Sequence, residues 1–225
     1  MAWLSIATLY WIGIHLLVAG PARGVVAARI GENGFRGLFS LLSLVGLVGL
    51  ILAYRAAPFM PLWAPMQWTT VLALPLVFFA FLLLILSLTA DNATSVGGEL
   101  NPPARLQVSG VTRITRHPML WAFSLWAFAH LLTNGHLAAL LFFGSIMVVA
   151  LNGMVSIDRK RRRALGPVWD DFAARTSRIP FAAIIGGRAE LRLGELPPWR
   201  LALATILFAG TLYLHGWALG VSPFP

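Results

Sequence analysis

The sequence predicts an all-α protein, a polytopic bundle of about six transmembrane helices. Hydrophobic residues make up 58% of the 225 residues and charged residues only 11%, and the mean hydropathy of +0.78 lies far above that of a soluble domain. Apolar runs near the ~20 residues that cross a bilayer as a helix recur along the chain. Basic residues fall almost entirely between alternate runs. We therefore expect one integral membrane domain over residues 1–225.

Six apolar runs define the predicted spans, at about residues 3–20, 35–54, 68–88, 118–133, 137–155 and 201–219. The first run lacks the basic leading segment of a signal peptide and contains aromatic residues and His15, so we expect it to remain as a structural helix. The fourth and fifth runs are separated only by Asn134-Gly135-His136, which predicts a tight helical hairpin.

The charged residues predict the orientation of these spans. All 17 Lys and Arg residues except Arg55, and all eight acidic residues, fall in the loops after the first, third and fifth spans. Lys and Arg are retained on the cytoplasmic side, so we expect a bacterial inner-membrane protein with both termini in the periplasm. The net charge of +9 then reflects topology and contact with anionic membrane lipid, and we do not expect nucleic-acid binding.

A short amphipathic helix is predicted on the cytoplasmic side between the fifth and sixth spans. Trp169, Phe172 and Ile179 recur among charged residues, a pattern typical of a helix on the membrane surface, and Pro180 would end it. The basic run at residues 159–163 is explained by topology and contact with lipid headgroups. We expect the amphipathic segment to pack beside the loop that contains His117.

Histidines are the strongest candidate ligands, because the absence of cysteine excludes disulfides, thiolate metal sites and a cysteine nucleophile. His117 lies at the cytoplasmic start of the fourth span, and His130 is thirteen residues further on, about 20 Å along a helix. These two histidines therefore belong to different sites. His15 reaches the depth of His130 only if the first helix continues past Gly20-Pro21; otherwise it lies closer to the cytoplasm.

The residues favour His15 and His130 as a pair of metal ligands on different spans. A histidine in a membrane helix is costly unless it has a partner. Neutral imidazoles suit haem iron, and an apolar aromatic pocket suits a porphyrin. The alternative is that each histidine donates a hydrogen bond to a neighbouring group and holds no cofactor.

Five segments are distinctive together: those that contain His15, Glu32, His117, His130 and Arg175. In this combination they resemble the NnrU family, whose plant relatives include the cis-zeta-carotene isomerases. The resemblance covers nearly the whole chain in order. It implies a b-type haem, with iron held between His15 and His130, and in the isomerase branch a redox-controlled isomerisation of a long apolar polyene. The family name implies an association with nitrite and nitric oxide reduction in denitrification. The segments that carry it are Gly13-Ile14-His15, Ile30-Gly31-Glu32 with Phe35-Arg36, Gly110 through Arg116-His117-Pro118, Ala129-His130, and Arg175-Thr176 with residues 179–184.

Two positions depart from the isomerase branch. That branch has a cysteine three residues before the second histidine, where this chain has Ala127, so an exchange of histidine for thiolate at the iron is impossible here. Asn33 stands where an arginine follows the glutamate in the plant-like pattern. The resemblance therefore implies no exact role for this loop, whereas it implies iron ligation for the two histidines.

A group of polar residues is expected to meet at the cytoplasmic boundary, where it orients a haem propionate, a lipid headgroup or the loops themselves. Three of them, Arg36, Arg116 and His117, are candidate cofactor-binding residues. The others in this expected group are Glu32, Arg113 and Arg175.

Two further functions are compatible with the sequence. Arg116-His117-Pro118 after Gly110 also resembles membrane methyltransferases of the isoprenylcysteine carboxyl methyltransferase type, which use S-adenosylmethionine. Those enzymes typically carry adjacent glutamates after the following helix, where this chain has Ile157-Asp158. The remaining function is a non-enzymatic assembly factor or sensor whose basic cytoplasmic face recruits a soluble partner.

Overall fold

A computed structural model describes residues 1–90, 94 and 106–224. In these parts all repeating structure is helical, and a single isolated β-bridge joins Pro61 to His136. The predicted all-α fold is confirmed. The helices are α1 (Ala2–Gly13), a π-helical turn (Ile14–Val18), α2 (Arg23–Arg55), α3 (Gln67–Thr89), α4 (Val111–Ile114), α5 (Pro118–Thr133), α6 (Leu137–Leu165), α7 (Pro167–Arg175), α8 (Ala182–Ile185), a 3-10 turn (Leu193–Glu195) and α9 (Pro198–Leu219).

Each of the six predicted spans corresponds to an apolar helix. Helices α2, α3, α6 and α9 are long and apolar enough to cross a membrane, whereas α1 with its π-helical turn and α5 are shorter apolar helices. Helices α2 and α6 extend beyond the predicted apolar runs, because polar residues continue a helix after its apolar part has ended. Gly31 interrupts α2 at φ +76°, and Gly166 ends α6 at φ +54°, positions where glycine lacks the steric penalty of a side chain.

The predicted hairpin of α5 and α6 is also confirmed. Its turn is fastened to the loop between α2 and α3, because the Gly135 carbonyl accepts hydrogen bonds from the amides of Leu62 at 2.8 Å and Trp63 at 3.1 Å. A Cβ atom on Gly135 would lie 1.9 Å from the Trp63 carbonyl oxygen. Glycine is therefore required for this close approach. His136 caps α6, since its Nδ1 accepts a hydrogen bond from Ala139 at 3.2 Å.

The bundle is held together by contacts between neighbouring apolar helices. Helix α5 packs against α3 and α6, α1 packs against α2 and α6, and α9 packs against α3. Leu4, Leu50, Ala127 and Phe143 belong to one buried cluster that joins α1, α2, α5 and α6. The outward residues of α2 and α9 are apolar and exposed, as expected for helices that face lipid.

The helix predicted between the last two spans is α7, but its apolar face packs against the protein and not on the membrane surface. Trp169 is 2% exposed and Phe172 1% exposed, and both pack against Leu106, Val108 and Leu165. Ile179 lies outside the helix and is exposed. The structure corrects the prediction because the segment that precedes α4 returns over α7 and covers the aromatic side chains.

Candidate functional site

The centre of the polar site is the carboxylate of Asp158, in the C-terminal part of α6. Its Oδ1 accepts a hydrogen bond from His117 Nε2 at 2.7 Å, and its Oδ2 accepts from Arg116 Nη2 and Arg178 Nη2, each at 2.8 Å. Asp158 is only 8% exposed. We call these four residues the Asp158 cluster. It joins α5, α6 and the segment after α7 through charge-assisted hydrogen bonds.

Backbone hydrogen bonds place the three segments beside one another. The amide of Arg116 donates to the Ser177 carbonyl at 2.9 Å, and the amide of Phe181 donates to the Ile114 carbonyl at 2.8 Å. The Thr115 hydroxyl donates to the Arg178 carbonyl at 2.8 Å. The expectation that the segment after the fifth span packs beside the His117 loop is therefore confirmed.

His117 is held in the cluster as a neutral imidazole. Its side chain is completely buried, and burial lowers its pKa, although the hydrogen bond with Asp158 acts in the opposite direction. The neutral ring donates Nε2–H to Asp158, which leaves a lone pair on Nδ1. Within the described part of the chain this buried Nδ1 has no hydrogen-bond partner. The site therefore keeps one hydrogen-bond acceptor that has no donor in the described part of the chain.

A second ion pair lies beside the cluster, between α4 and the turn before α9. Arg113 donates to Glu195 through Nε at 2.7 Å and through Nη2 at 2.8 Å, and the Gly110 amide donates to the same carboxylate at 2.7 Å. The Arg113 guanidinium, with help from this amide, lowers the pKa of Glu195 to about 2. Arg113 thus belongs to a different ion pair from Arg116.

The boundary residues predicted to form one group are divided among several pairs. Arg116 and His117 lie in the Asp158 cluster. Arg36 Nε lies 3.7 Å from Glu32, and Arg175 pairs with an aspartate of its own helix. Among the described contacts none joins Arg36 or Arg175 to Arg116 or His117. The expected single group is therefore not assembled.

His15 and His130 have the same local geometry. His15 Nδ1 lies 2.9 Å from the carbonyl oxygen of Trp11, and His130 Nδ1 lies 2.8 Å from that of Trp126. In each case Nδ1–H donates to the carbonyl four residues earlier, so Nε2 carries the lone pair. This is the arrangement in which a backbone carbonyl orients a histidine ligand, and it equally satisfies the alternative of a histidine without a cofactor.

The two histidines lie at different depths. The His15 ring is 5.4 Å from the Phe39 ring, whereas the His130 ring is 4.7 Å from the Phe143 ring, which is itself 5.9 Å from that of Tyr54. Phe39 and Tyr54 are fifteen residues apart on α2, a rise of about 22 Å.

The end of the first helix explains this difference. The π-helical turn stops at Val18, before Gly20-Pro21, so His15 lies near the end of the bundle where Lys160 of α6 contacts Ala19. One haem requires its two axial ligands on opposite faces of a single ring. No contact among the described residues joins His15 to His130, and their ligation of one iron stays a prediction. Among the described residues, no group of three His, Cys, Asp or Glu side chains is arranged to hold a metal ion.

His15 lies among polar groups that lack partners. Thr8 Oγ1, Trp11 Nε1 and Ser43 Oγ are buried and have no hydrogen-bond partner within the described chain. Thr8, Trp11 and His15 share one face of the first helix by their spacing, and Ser43 lies one turn after Phe39 on α2. Buried polar groups of this kind indicate a water or ligand position.

A cavity of about 370 Å³ lies near the opposite end of the bundle, between the start of α3 and helices α5 and α6. Its lining is aromatic and aliphatic. At 100° per residue, His130 points away from the face of α5 that lines the cavity. Its lining residues include Trp63, Met66, Trp68, Phe128, Leu132 and Met147.

The sequence analysis missed Asp158 and Arg178. Asp158 was noted only as the residue at the position where the methyltransferases carry an adjacent acid pair. The basic residues that follow it were explained by topology. One available signal was its position as a lone acid at the end of an apolar run, directly before five basic residues. Arg178 gave no signal, because its partner is twenty residues away along the chain.

Comparison with known proteins gives matches of two kinds. The family model described as NnrU protein matches residues 3–223. The chain is 33% identical over 100 residues to a 15-cis-zeta-carotene isomerase, chloroplastic, from Zea mays and 34% identical over 100 residues to one from Arabidopsis thaliana. Each alignment covers 44% of this chain and 27% of the relative, so it spans about a quarter of the curated proteins. No solved structure matches.

Proposed function

Because the chain belongs to the NnrU family, we propose that it is a membrane isomerase that rotates a double bond in a long apolar polyene. The observation that carries this proposal is the identity of 33–34% with the 15-cis-zeta-carotene isomerases. The helical membrane bundle supports it, since an apolar substrate of this kind dissolves in the bilayer. The proposed substrate class is a carotenoid-like polyene.

The apolar cavity between α3, α5 and α6 is the proposed position of the polyene. A volume of about 370 Å³ holds one part of an extended polyene, and its aromatic and methionine side chains provide a polarisable surface for conjugated bonds. These residues bind the chain on either side of the reacting bond and exclude water from it. Isomerisation transfers no proton or hydride, so the site needs no acid or base at this position.

Cavity filling tests this proposal. Wild-type protein and a Leu132→Trp variant are reconstituted in vesicles with 15-cis-zeta-carotene, under oxidising and reducing conditions, and the isomers are separated by chromatography. We expect conversion by the wild type and a loss of at least tenfold in Leu132→Trp. Ile206→Trp on the exposed face of α9 is the matched control and retains activity. An inactive wild type contradicts the function, and full activity of Leu132→Trp contradicts the site.

Haem b remains part of the proposal, with His15 as the residue that holds it. His15 combines an available Nε2 with unsatisfied polar groups nearby, and no described contact joins it to His130. At His15, at the end of the bundle opposite the polyene cavity, a bound haem would supply one-electron redox chemistry. The absorption spectrum tests this directly: we expect a Soret band in the wild type and in His130→Ala and its loss in His15→Ala. A protein without the band, or one that loses it only in His130→Ala, contradicts it.

The orientation is proposed from the charges. The Asp158 cluster and the Arg113–Glu195 pair lie at the end that carries most basic residues, which we assign to the cytoplasmic side of a bacterial inner membrane. The natural absence of cysteine permits a labelling test with single cysteines at Ser222 and Arg163, both exposed. An impermeant maleimide should label Ser222→Cys in whole cells and Arg163→Cys only after lysis. The reverse pattern contradicts the orientation.

The other functions gain no support from the described residues. The acid at the methyltransferase position, Asp158, already accepts hydrogen bonds from Arg116, His117 and Arg178. The single acid at this position therefore serves the Asp158 cluster, and the adjacent second acid of the methyltransferases is replaced by Ile157. The link to nitrite and nitric oxide reduction rests on the family name, and we propose no residue for it.

A further inference from the structure

A second cavity, of about 230 Å³, lies at the proposed cytoplasmic boundary, where the end of α3 meets the start of α4 and the start of α9. Its wall is apolar on one side and polar on the other. Leu86 and Leu196 contribute the apolar side, and Ser109, Glu195 and Arg200 contribute the polar side. A cavity of this mixed character at a headgroup level suits an amphipathic ligand.

Arg200 is the unusual residue of this wall. Its Nε is buried and has no hydrogen-bond partner within the described chain, and no carboxylate of the described residues forms an ion pair with it. Its guanidinium carbon lies 5.2 Å from the centre of the Trp199 ring. Burial of a guanidinium donor without an acceptor costs free energy. A ligand that supplies an acceptor removes this cost.

The charged side chains that line the cavity indicate the charge of its ligand. Glu195 is already compensated, because Arg113 donates two hydrogen bonds to its carboxylate and the Gly110 amide donates a third. Among the described residues that line this cavity, Arg200 therefore carries the uncompensated charge, and this charge attracts an anion. Guanidinium groups match phosphate oxygens in geometry and charge. The Ser109 hydroxyl, on the exposed rim of the cavity, is a further donor.

We propose that this cavity binds the phosphate group of an anionic phospholipid. The Arg200 guanidinium donates to a phosphate oxygen, the Ser109 hydroxyl supports it, and the glycerol and first acyl carbons contact Leu86 and Leu196. The position at the start of α9 places the phosphate where the headgroups of the cytoplasmic leaflet lie. This site is separate from the polyene cavity and does not depend on the isomerase activity.

Native mass spectrometry tests the site on the full chain released from detergent. The protein is presented in separate experiments with phosphatidylglycerol, with diacylglycerol and with inorganic phosphate. We expect the wild type to retain phosphatidylglycerol, Arg200→Gln to retain at least fivefold less, and diacylglycerol to be retained weakly and equally by both. The matched control is Arg192→Gln, whose exposed guanidinium pairs with Glu190, and it should behave as the wild type does.

Each other outcome has a defined meaning. Equal retention of phosphatidylglycerol by the wild type and Arg200→Gln overturns the proposal. Binding of inorganic phosphate without binding of the lipid overturns the assignment to phospholipid and shows a site for free phosphate. If Arg200→Gln does not fold, Ser109→Glu replaces it, because this substitution adds a negative charge at an exposed position of the rim. Undiminished lipid retention by a folded Ser109→Glu also overturns the proposal.

Discussion

Replacement of Asp158 by asparagine is the sharpest test of the site architecture. The substitution keeps the size of the side chain and removes its charge, so Arg116 and Arg178 lose their common counter-ion. The Arg116 side chain is only 11% exposed and that of Asp158 10%, so water compensates little. We expect Asp158→Asn to be the most destabilising single change of an acidic residue in the described chain.

The magnitude follows from the burial of the cluster. Removal of one partner from a buried ion pair costs about 3–5 kcal/mol, because it leaves an uncompensated buried charge. A change of 1 kcal/mol shifts the melting temperature of a protein of 150–250 residues by about 2–4 °C. We therefore expect a decrease of roughly 6–20 °C.

The assay is thermal unfolding of the detergent-solubilised protein, followed by far-ultraviolet circular dichroism. Asp171→Asn is the matched control, since Asp171 is 66% exposed and pairs only with Arg175 on the same helix. An exposed pair of this kind contributes less than about 1 kcal/mol. Equal melting temperatures for Asp158→Asn and Asp171→Asn would refute the conclusion that the cluster joins three segments of the protein.

Three further predictions concern other parts of the structure. Because Arg113 lowers the pKa of Glu195 from 4.5 to about 2, the carboxylate stabilises the fold fully above pH 4.5, and this contribution is lost as the pH falls towards 2; the stability difference between wild type and Glu195→Gln should shrink over that range, and a constant difference would argue against the ion pair. Gly135→Ala should destabilise the protein much more than Gly144→Ala, because a new Cβ lies 1.9 Å from a backbone oxygen at the first position and 3.9 Å from a methyl group at the second; similar thermal stability of the two variants would exclude the close approach. Trp169→Ala should cost about 3–5 kcal/mol and Ile179→Ala less than about 0.5 kcal/mol, measured by chemical denaturation, whereas similar costs would mean that α7 rests on the membrane and not on the protein.

The apolar spans and their order could be predicted because they depend on local composition. A run of about twenty apolar residues is a helix wherever it crosses lipid, since the bilayer offers no other partner for the backbone. The α5–α6 hairpin followed from three residues between two such runs. The helical extensions of α2 and α6 could not be predicted in this way. Hydropathy indicates which residues contact lipid, but it does not show where a helix continues with polar residues beyond the bilayer.

Part of the candidate site could also be predicted, because some of its residues are conspicuous in the local sequence. His117 and Arg116 stand out at a membrane boundary, and His15 and His130 stand out in apolar helices. The partners of Arg116 and His117 are 42 and 41 residues away along the chain, and no local pattern specifies such a contact. The relative depth of His15 depended on whether α1 continued past Gly20-Pro21, which the packing of α1 against α2 and α6 decides.

The sequence by itself determined that this is a helical membrane protein of the NnrU family, with apolar spans whose connecting loops are alternately basic and almost uncharged. These properties are sums over local residues and survive any detail of packing. Only the tertiary structure decided that Asp158 gathers Arg116, His117 and Arg178, that His15 and His130 lie at different depths, and that Arg200 lines a cavity with no counter-ion among the described residues. Each of these results depends on the distance between side chains from different helices, and helix packing alone sets those distances.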